Sequence, residues 1–214
     1  MRKILLVIAA VVLAAAGVQA QIPAEVTTVM NRCRAVMKHP DGLEYAMNMK
    51  TTMGPVTVMT IHIVSANKGE KTKSTTTMTA MGESYSFESG YDGTQAWEVK
   101  HSEKWDTITI TRAPQRKKKT ADLELDLDKK YKKAKMQVKD DCYVIDFSEP
   151  IDKNSEAKKV TLKVAKKNYI FREMVTKAKG AKITFTLTKL KVGLKDDYFT
   201  LNLGKYPGAV VVRE

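Results

Sequence analysis

Three histidines, two cysteines and one acidic run are the residues of this sequence with the chemistry for catalysis or metal binding. His39 precedes a proline at a helix end, His62 sits inside an alternating strand pattern, and His101 follows a strand. None shares an HExxH or CxxC spacing, the arrangements that bring two metal donors to one side of an element. Asp122, Glu124, Asp126 and Asp128 alternate with leucines and lack the glycine and closing glutamate of an EF-hand loop. A solvated face is their expected role. There is no G-x-S-x-G elbow and no Gly-rich phosphate loop followed by Lys-Ser/Thr. The chain therefore reads as a non-enzyme, with no metal site and no cofactor expected.

What the sequence concentrates instead is soft apolar surface. Met47, Met49, Met53, Met59, Met78 and Met81 crowd the first strand patterns. Methionine is flexible and polarizable and adapts to shapes that vary, acyl chains among them. Ordinary core filling is the plainer use of the same residues. The net charge is +13, and Arg116, Lys117, Lys118 and Lys119 form a basic docking loop. Such charge attracts phospholipid headgroups, acidic proteins and other polyanions, or serves solubility alone. Cys33 and Cys142 lie far apart in sequence. A bridge closing a loop of ~100 residues would stabilise by up to about 4.7 kcal/mol in an oxidising compartment. Two buried free thiols acting as small hydrophobes are the other reading.

The elements that must hold these residues are mostly strands. Pro23 suits a first helical position, and Val26, Val29, Met30, Cys33, Val36 and Met37 recur at three- and four-residue steps. This predicts one amphipathic helix, stopped by His39-Pro40-Asp41-Gly42. Alternation predicts strands at 43–50, 56–64, 71–79, 85–89, 95–100 and 105–111, with Tyr91-Asp92-Gly93 as a tight hairpin. Residues 121–135 mix leucines, charges and good helix formers and are read as a short helix. Strands return at 136–138, 142–148, 159–165, 169–176, 181–190 and 198–203. About eleven strands joined by hairpin-length turns point to one large antiparallel sheet, which at that size curls toward a barrel or half-barrel. Strand parity puts Tyr45, Met47, Met49, Met59, Ile61, Trp97, Ile183 and Phe185 on the face lining its hollow. A slip of one residue would turn any such strand inside out.

The chain opens with Arg2 and Lys3, an apolar run at 4–16, and the small residues Val18 and Ala20 at peptidase-type positions. This predicts a secretory signal peptide, 1–20, cleaved near Ala20. The run is short of the ~20 residues that span a bilayer. No cysteine at the junction offers a lipid attachment point. Residues 21–214 are expected to form a single exported, soluble domain. A monomer is expected, and nucleic acid is a poor partner for an exported protein.

The hairpin Tyr91-Asp92-Gly93-Thr94-Gln95-Ala96-Trp97 resembles the YDG-x-x-x-W hairpin of the periplasmic lipoprotein carrier LolA and its relatives. Lys68-Gly69-Glu70-Lys71-Thr72-Lys73, Asp140-Asp141-Cys142-Tyr143-Val144-Ile145 and the stretch 183–203 are similar to other parts of that family. The resemblance implies a mainly β (α+β) fold: an unclosed β-barrel with an N-terminal helix and short lid helices. It implies a periplasmic carrier that holds lipoprotein acyl chains in the half-barrel and shuttles them toward the outer membrane. Its partners would be an inner-membrane release complex and an outer-membrane acceptor. The family's lid latch is an arginine on an inner strand; the nearest positions here hold Lys71 and Lys73, which lack the planar guanidinium fork. The alternative is an envelope sensor or interaction module of the same fold, docking a partner protein through residues 116–119.

Overall fold

The computed structural model describes residues 22–80, 82–101, 106–112, 125–178 and 180–213. Residues 1–20, read from sequence as a signal peptide, Met81, Trp105 and the basic run from Arg116 to Lys119 lie outside the described residues.

Helix α1 spans Ala24–Val36, with Pro23 as its N-cap. Proline fits there because its fixed φ suits a helix start and its missing N–H has no intrahelical acceptor to lose. Glu25 in the first turn and Arg34 in the last complement the helix dipole. Val26, Val29, Met30 and Cys33 form one buried stripe along the helix. Burying each large apolar side chain in such a stripe contributes about 1.5–3 kcal/mol. After α1 the chain reverses through Gly42 at φ +85°, where Cβ atoms of Leu194 and Lys68 would stand 3.1 Å from any added Cβ. Both the backbone conformation and the close approach favour glycine there.

The strands are β1 Leu43–Met53, β2 Val56–Lys68, β3 Lys71–Ala80, β4 Glu83–Tyr91, β5 Gln95–Lys100, β6 Thr107–Arg112, β7 Tyr131–Lys139, β8 Cys142–Pro150, β9 Lys159–Ala165, β10 Phe171–Ala178, β11 Ala181–Val192 and β12 Val210–Arg213. A four-residue helix, α2, occupies Leu127–Lys130. All of the strands join in one 12-stranded sheet, ordered β12-β6-β5-β4-β3-β2-β1-β11-β10-β9-β8-β7. Neighbours are antiparallel except β12, which runs parallel to β6. The sheet is curved and unclosed, with β7 and β12 at its two ends among the described residues. That is the architecture expected from the sequence.

The two halves of the sheet are covered on opposite faces. On the inner face α1 lies over the half from β7 to β1, with Ile145, Phe147, Leu162, Val164 and Phe171 among the buried residues beneath it. On the outer face a strap, 193–209, crosses the other half. Its Leu194 and Phe199 pack on Ala66, and its Tyr206 packs on Trp97, Val99, Ile108 and Ile110.

Three local readings differ from the structure. Residues 198–203 are not a strand: 3₁₀ turns at Asp196–Phe199 and Leu203–Lys205 carry the strap across the sheet. Phe199 packs into the outer-face core while its neighbour Tyr198 turns its hydroxyl to Glu44, which strict alternation would not allow. Of the helix expected at 121–135, residues 121–124 lie outside the described residues; the described part is helical only at α2, because from Tyr131 onward the chain pairs with β8. The terminal strand β12 carries no sequence signal, since its four residues are too few to show a period.

Candidate ligand cavity

An apolar row crosses the inner face in register. Met136 pairs with Ile145, Ile145 with Leu162, Leu162 with Met174 and Met174 with Phe185. Phe185 pairs with Met49, Met49 with Ile61, Ile61 with Met78 and Met78 with Tyr85. The row thus runs from β7 to β4. It is buried under α1 at Ile145 and Leu162, half-buried through its middle, and exposed at Tyr85.

Where α1 stops covering this face, a cavity of about 720 Å³ opens. Its floor is Met47, Ile63, Val160, Met174, Thr176 and Phe185, from five adjacent strands. Leu127 and Tyr131 form one wall, with Pro150, Ile151 and Ala157 beside them, and Lys129, Lys130, Asp152 and Ser155 also border it. The floor carries no ionisable group.

The wall is held by polar ties. Arg34 of α1 donates to both carboxylate oxygens of Asp128, at 2.7 and 3.0 Å, and to the Leu125 carbonyl at 3.0 Å. Its pKa is raised by the Asp128 hydrogen bond, so the guanidinium stays charged. The Tyr131 hydroxyl donates to the Ala157 carbonyl at 2.8 Å, and the Ile151 N–H donates to the Lys130 carbonyl at 2.9 Å. Burial pushes the Tyr131 phenol up, so it remains a neutral donor. These bonds fix α2 and the β8–β9 loop relative to the floor.

Of the residues assigned to the hollow by parity, Met47 and Phe185 line the cavity. Tyr45 is buried on the same face in the core under α1. Met49 and Ile61 continue the apolar row beyond the cavity, and Met59 and Ile183 face each other across Thr51 one step further along the strands. Trp97 stands on the opposite face. It pairs with Gly90, Gly90 with Lys73, Lys73 with Ala66 and Ala66 with Glu44, a row interleaved with the inner one and covered by the strap. Ile63, Val160, Met174, Leu127 and Tyr131 were not singled out from sequence. Ile63 has the parity of Met59 and Ile61, which was legible, but nothing local brings Leu127 and Tyr131 across to it.

Lys71 and Lys73 do tie down a covering segment, but it is the outer-face strap and not α1. Lys68 and Lys71 grip Asp196 from both sides, each at 2.8 Å. Lys73 donates to the Tyr198 carbonyl at 3.3 Å. Cys33 is a free buried thiol on the inner face, and Cys142 a free, half-buried one. Cys142 alternates with Tyr143 and Ile145, which pack toward α1, so it points to the outer face. The sheet stands between the two thiols. The histidines are scattered: His62 meets Asn48 at 2.7 Å, and His101 meets Asp106 at 3.0 Å. Among the described residues no helix is long and apolar enough to cross a membrane.

No protein-family model matches the sequence, and no curated protein does. Among solved structures, an uncharacterized conserved protein from Thermus thermophilus superposes with a TM-score of 0.53 at 8% identity, over 89% of this chain and 99% of that one. The two chains share a fold. LprF from Mycobacterium bovis gives a TM-score of 0.48 at 8% identity, over 81% of this chain and 96% of that one. The LolA superfamily protein NE2245 from Nitrosomonas europaea gives 0.36 at 14% identity, over 82% and 97%.

Proposed function

We propose that this protein is an exported, periplasmic carrier of a hydrophobic ligand, with acyl chains of a lipid or lipoprotein lying in the inner-face cavity. The observation that carries the reading is the cavity itself: about 720 Å³, floored by methionine, isoleucine, valine and phenylalanine side chains. That volume falls in the usual range for small-molecule sites, ~300–1,000 Å³. Each CH₂ moved from water to such a site is worth ~0.8 kcal/mol, so an acyl chain would be held tightly without any polar anchor. The methionines Met47 and Met174 adapt to a flexible chain better than branched residues do. The apolar row beyond the cavity, through Met49 and Ile61, extends the track for a longer or multiple-chain ligand.

The test is native mass spectrometry of detergent-free protein, followed by titration of the delipidated protein with a fluorescent fatty acid. One saturable site is expected, lost when Met174 is replaced by arginine. A protein that carries no acyl ligand and takes up none overturns the reading. Cross-linking in cells then separates carrier from sensor: a carrier traps many lipoproteins, a sensor a single regulatory partner.

A further inference from the structure

A second cavity, of about 420 Å³, lies on the opposite face, between the strap and the sheet. Its lining includes Lys73, Lys191, Lys195 and Lys205, against one carboxylate, Asp197. Two separate features bring these cations together. Lys191 and Lys73 stand on one outer-face row, linked through Glu44 and Ala66. Lys195 and Lys205 flank the strap's two turns.

The neighbouring carboxylates are already engaged. Glu44 accepts from the Tyr198 hydroxyl and pairs with Lys189 at 3.2 Å. Glu88 accepts from the Tyr206 hydroxyl at 2.9 Å. Neither Lys195 nor Lys205 has a carboxylate partner among the described residues. Lys73 is half-buried, its ammonium 5.8 Å from the centre of the Trp97 ring and 5.1 Å from that of Tyr198. Burial, and then the charge of Lys205, lower its pKa, against the opposing pull of Glu88 and Glu44. The pocket lining sets four lysines against Asp197, and with Lys189 already paired to Glu44 the site keeps an excess of positive charge over Asp197, Glu44 and Glu88, which focuses positive potential and draws in a compact anion. Lysines bind phosphate as convergent point charges.

We propose that this outer-face pocket binds a phosphate-class anion, either free phosphate or a phospholipid headgroup. The inference is independent of the acyl-chain reading, because the sheet separates the two cavities.

The test is calorimetric titration with inorganic phosphate, beside co-sedimentation with phosphatidylcholine vesicles with and without phosphatidylglycerol. The variants are K195Q/K205Q and, as an equal charge change elsewhere, K166Q/K167Q in the exposed β9–β10 turn. Saturable binding is expected, weakened at least tenfold by K195Q/K205Q and less than twofold by K166Q/K167Q, with fatty-acid uptake unchanged in both. A response to phosphate identifies a soluble ligand, and a response to anionic vesicles alone identifies a headgroup. Equal weakening by the two double variants, or no saturable binding of either probe, overturns the proposal.

Discussion

Arg34 reaches from the last turn of α1 to grip both oxygens of Asp128, at 2.7 and 3.0 Å, so the cover of the inner face is tied directly to the wall of its cavity. The pair is part-buried, with side-chain exposures of 16% and 5%. Replacing Arg34 by alanine leaves the part-buried Asp128 carboxylate without its guanidinium, a change that destabilises by about 1–3 kcal/mol. Urea unfolding measures it. Lysine at this position should recover only part of the loss, since it cannot make the two-pronged contact.

The Trp97 ring presses against Gly90 on the neighbouring strand. A Cβ built at Gly90 would stand 2.5 Å from the Trp97 ring, which is itself buried against Tyr206 of the strap. Gly90→Ala should therefore destabilise by about 1–3 kcal/mol through overpacking. Near-UV circular dichroism of the tryptophan band and the melting temperature should change together; an unchanged band would place Trp97 elsewhere.

The strap is acid-sensitive at its first turn. Hydrogen bonds from Lys68 and Lys71, then their charges, bring the Asp196 carboxyl down from its ordinary 3.8 to about 2. A depressed carboxylate contributes stability that is full above its unfolded pKa and lost as pH falls through its folded one. Between about pH 4 and pH 2 the amides of the strap should accordingly lose hydrogen-exchange protection in wild type. An Asp196→Asn variant should show weaker protection already at neutral pH and no further change across that window. Wild-type protection that stays flat through the window would mean that the lysine grip does not hold the strap.

The two thiols should react very differently. Burial raises Cys33 to about 12, and its side chain is wholly enclosed beneath α1. Reactivity follows the accessible thiolate. Ellman's reagent at pH 8 should titrate Cys142 in the folded protein and release Cys33 only on denaturation. Two thiols should be counted then without any reductant. A count of zero in denaturant would reveal a disulfide, and with it a different placement of β8.

Local chemistry determined most of the elements. The stripe Val26-Val29-Met30-Cys33 makes α1, and alternation punctuated by Gly54, Gly69 and Gly93 makes the hairpins from β1 to β5. Period and turn residues act between neighbours along the chain, so a sequence carries them openly. The basic charge and the scarcity of paired catalytic groups are legible in the same way.

Tertiary structure alone decided which face each strand turns inward. Alternation offers two choices per strand, and nothing local prefers one. Trp97 went outward because β5 pairs with β4 at Gly90, where only a bare backbone admits the ring, and because the strap arrives from a hundred residues later to cover it. Met47 became cavity floor because β1 pairs with β11, joining the chain's two halves at the centre of the sheet. Residue type supplied apolar side chains for both faces; long-range register assigned one to packing under α1, one to an open hollow, and one to the ground beneath a strap of lysine-bound turns.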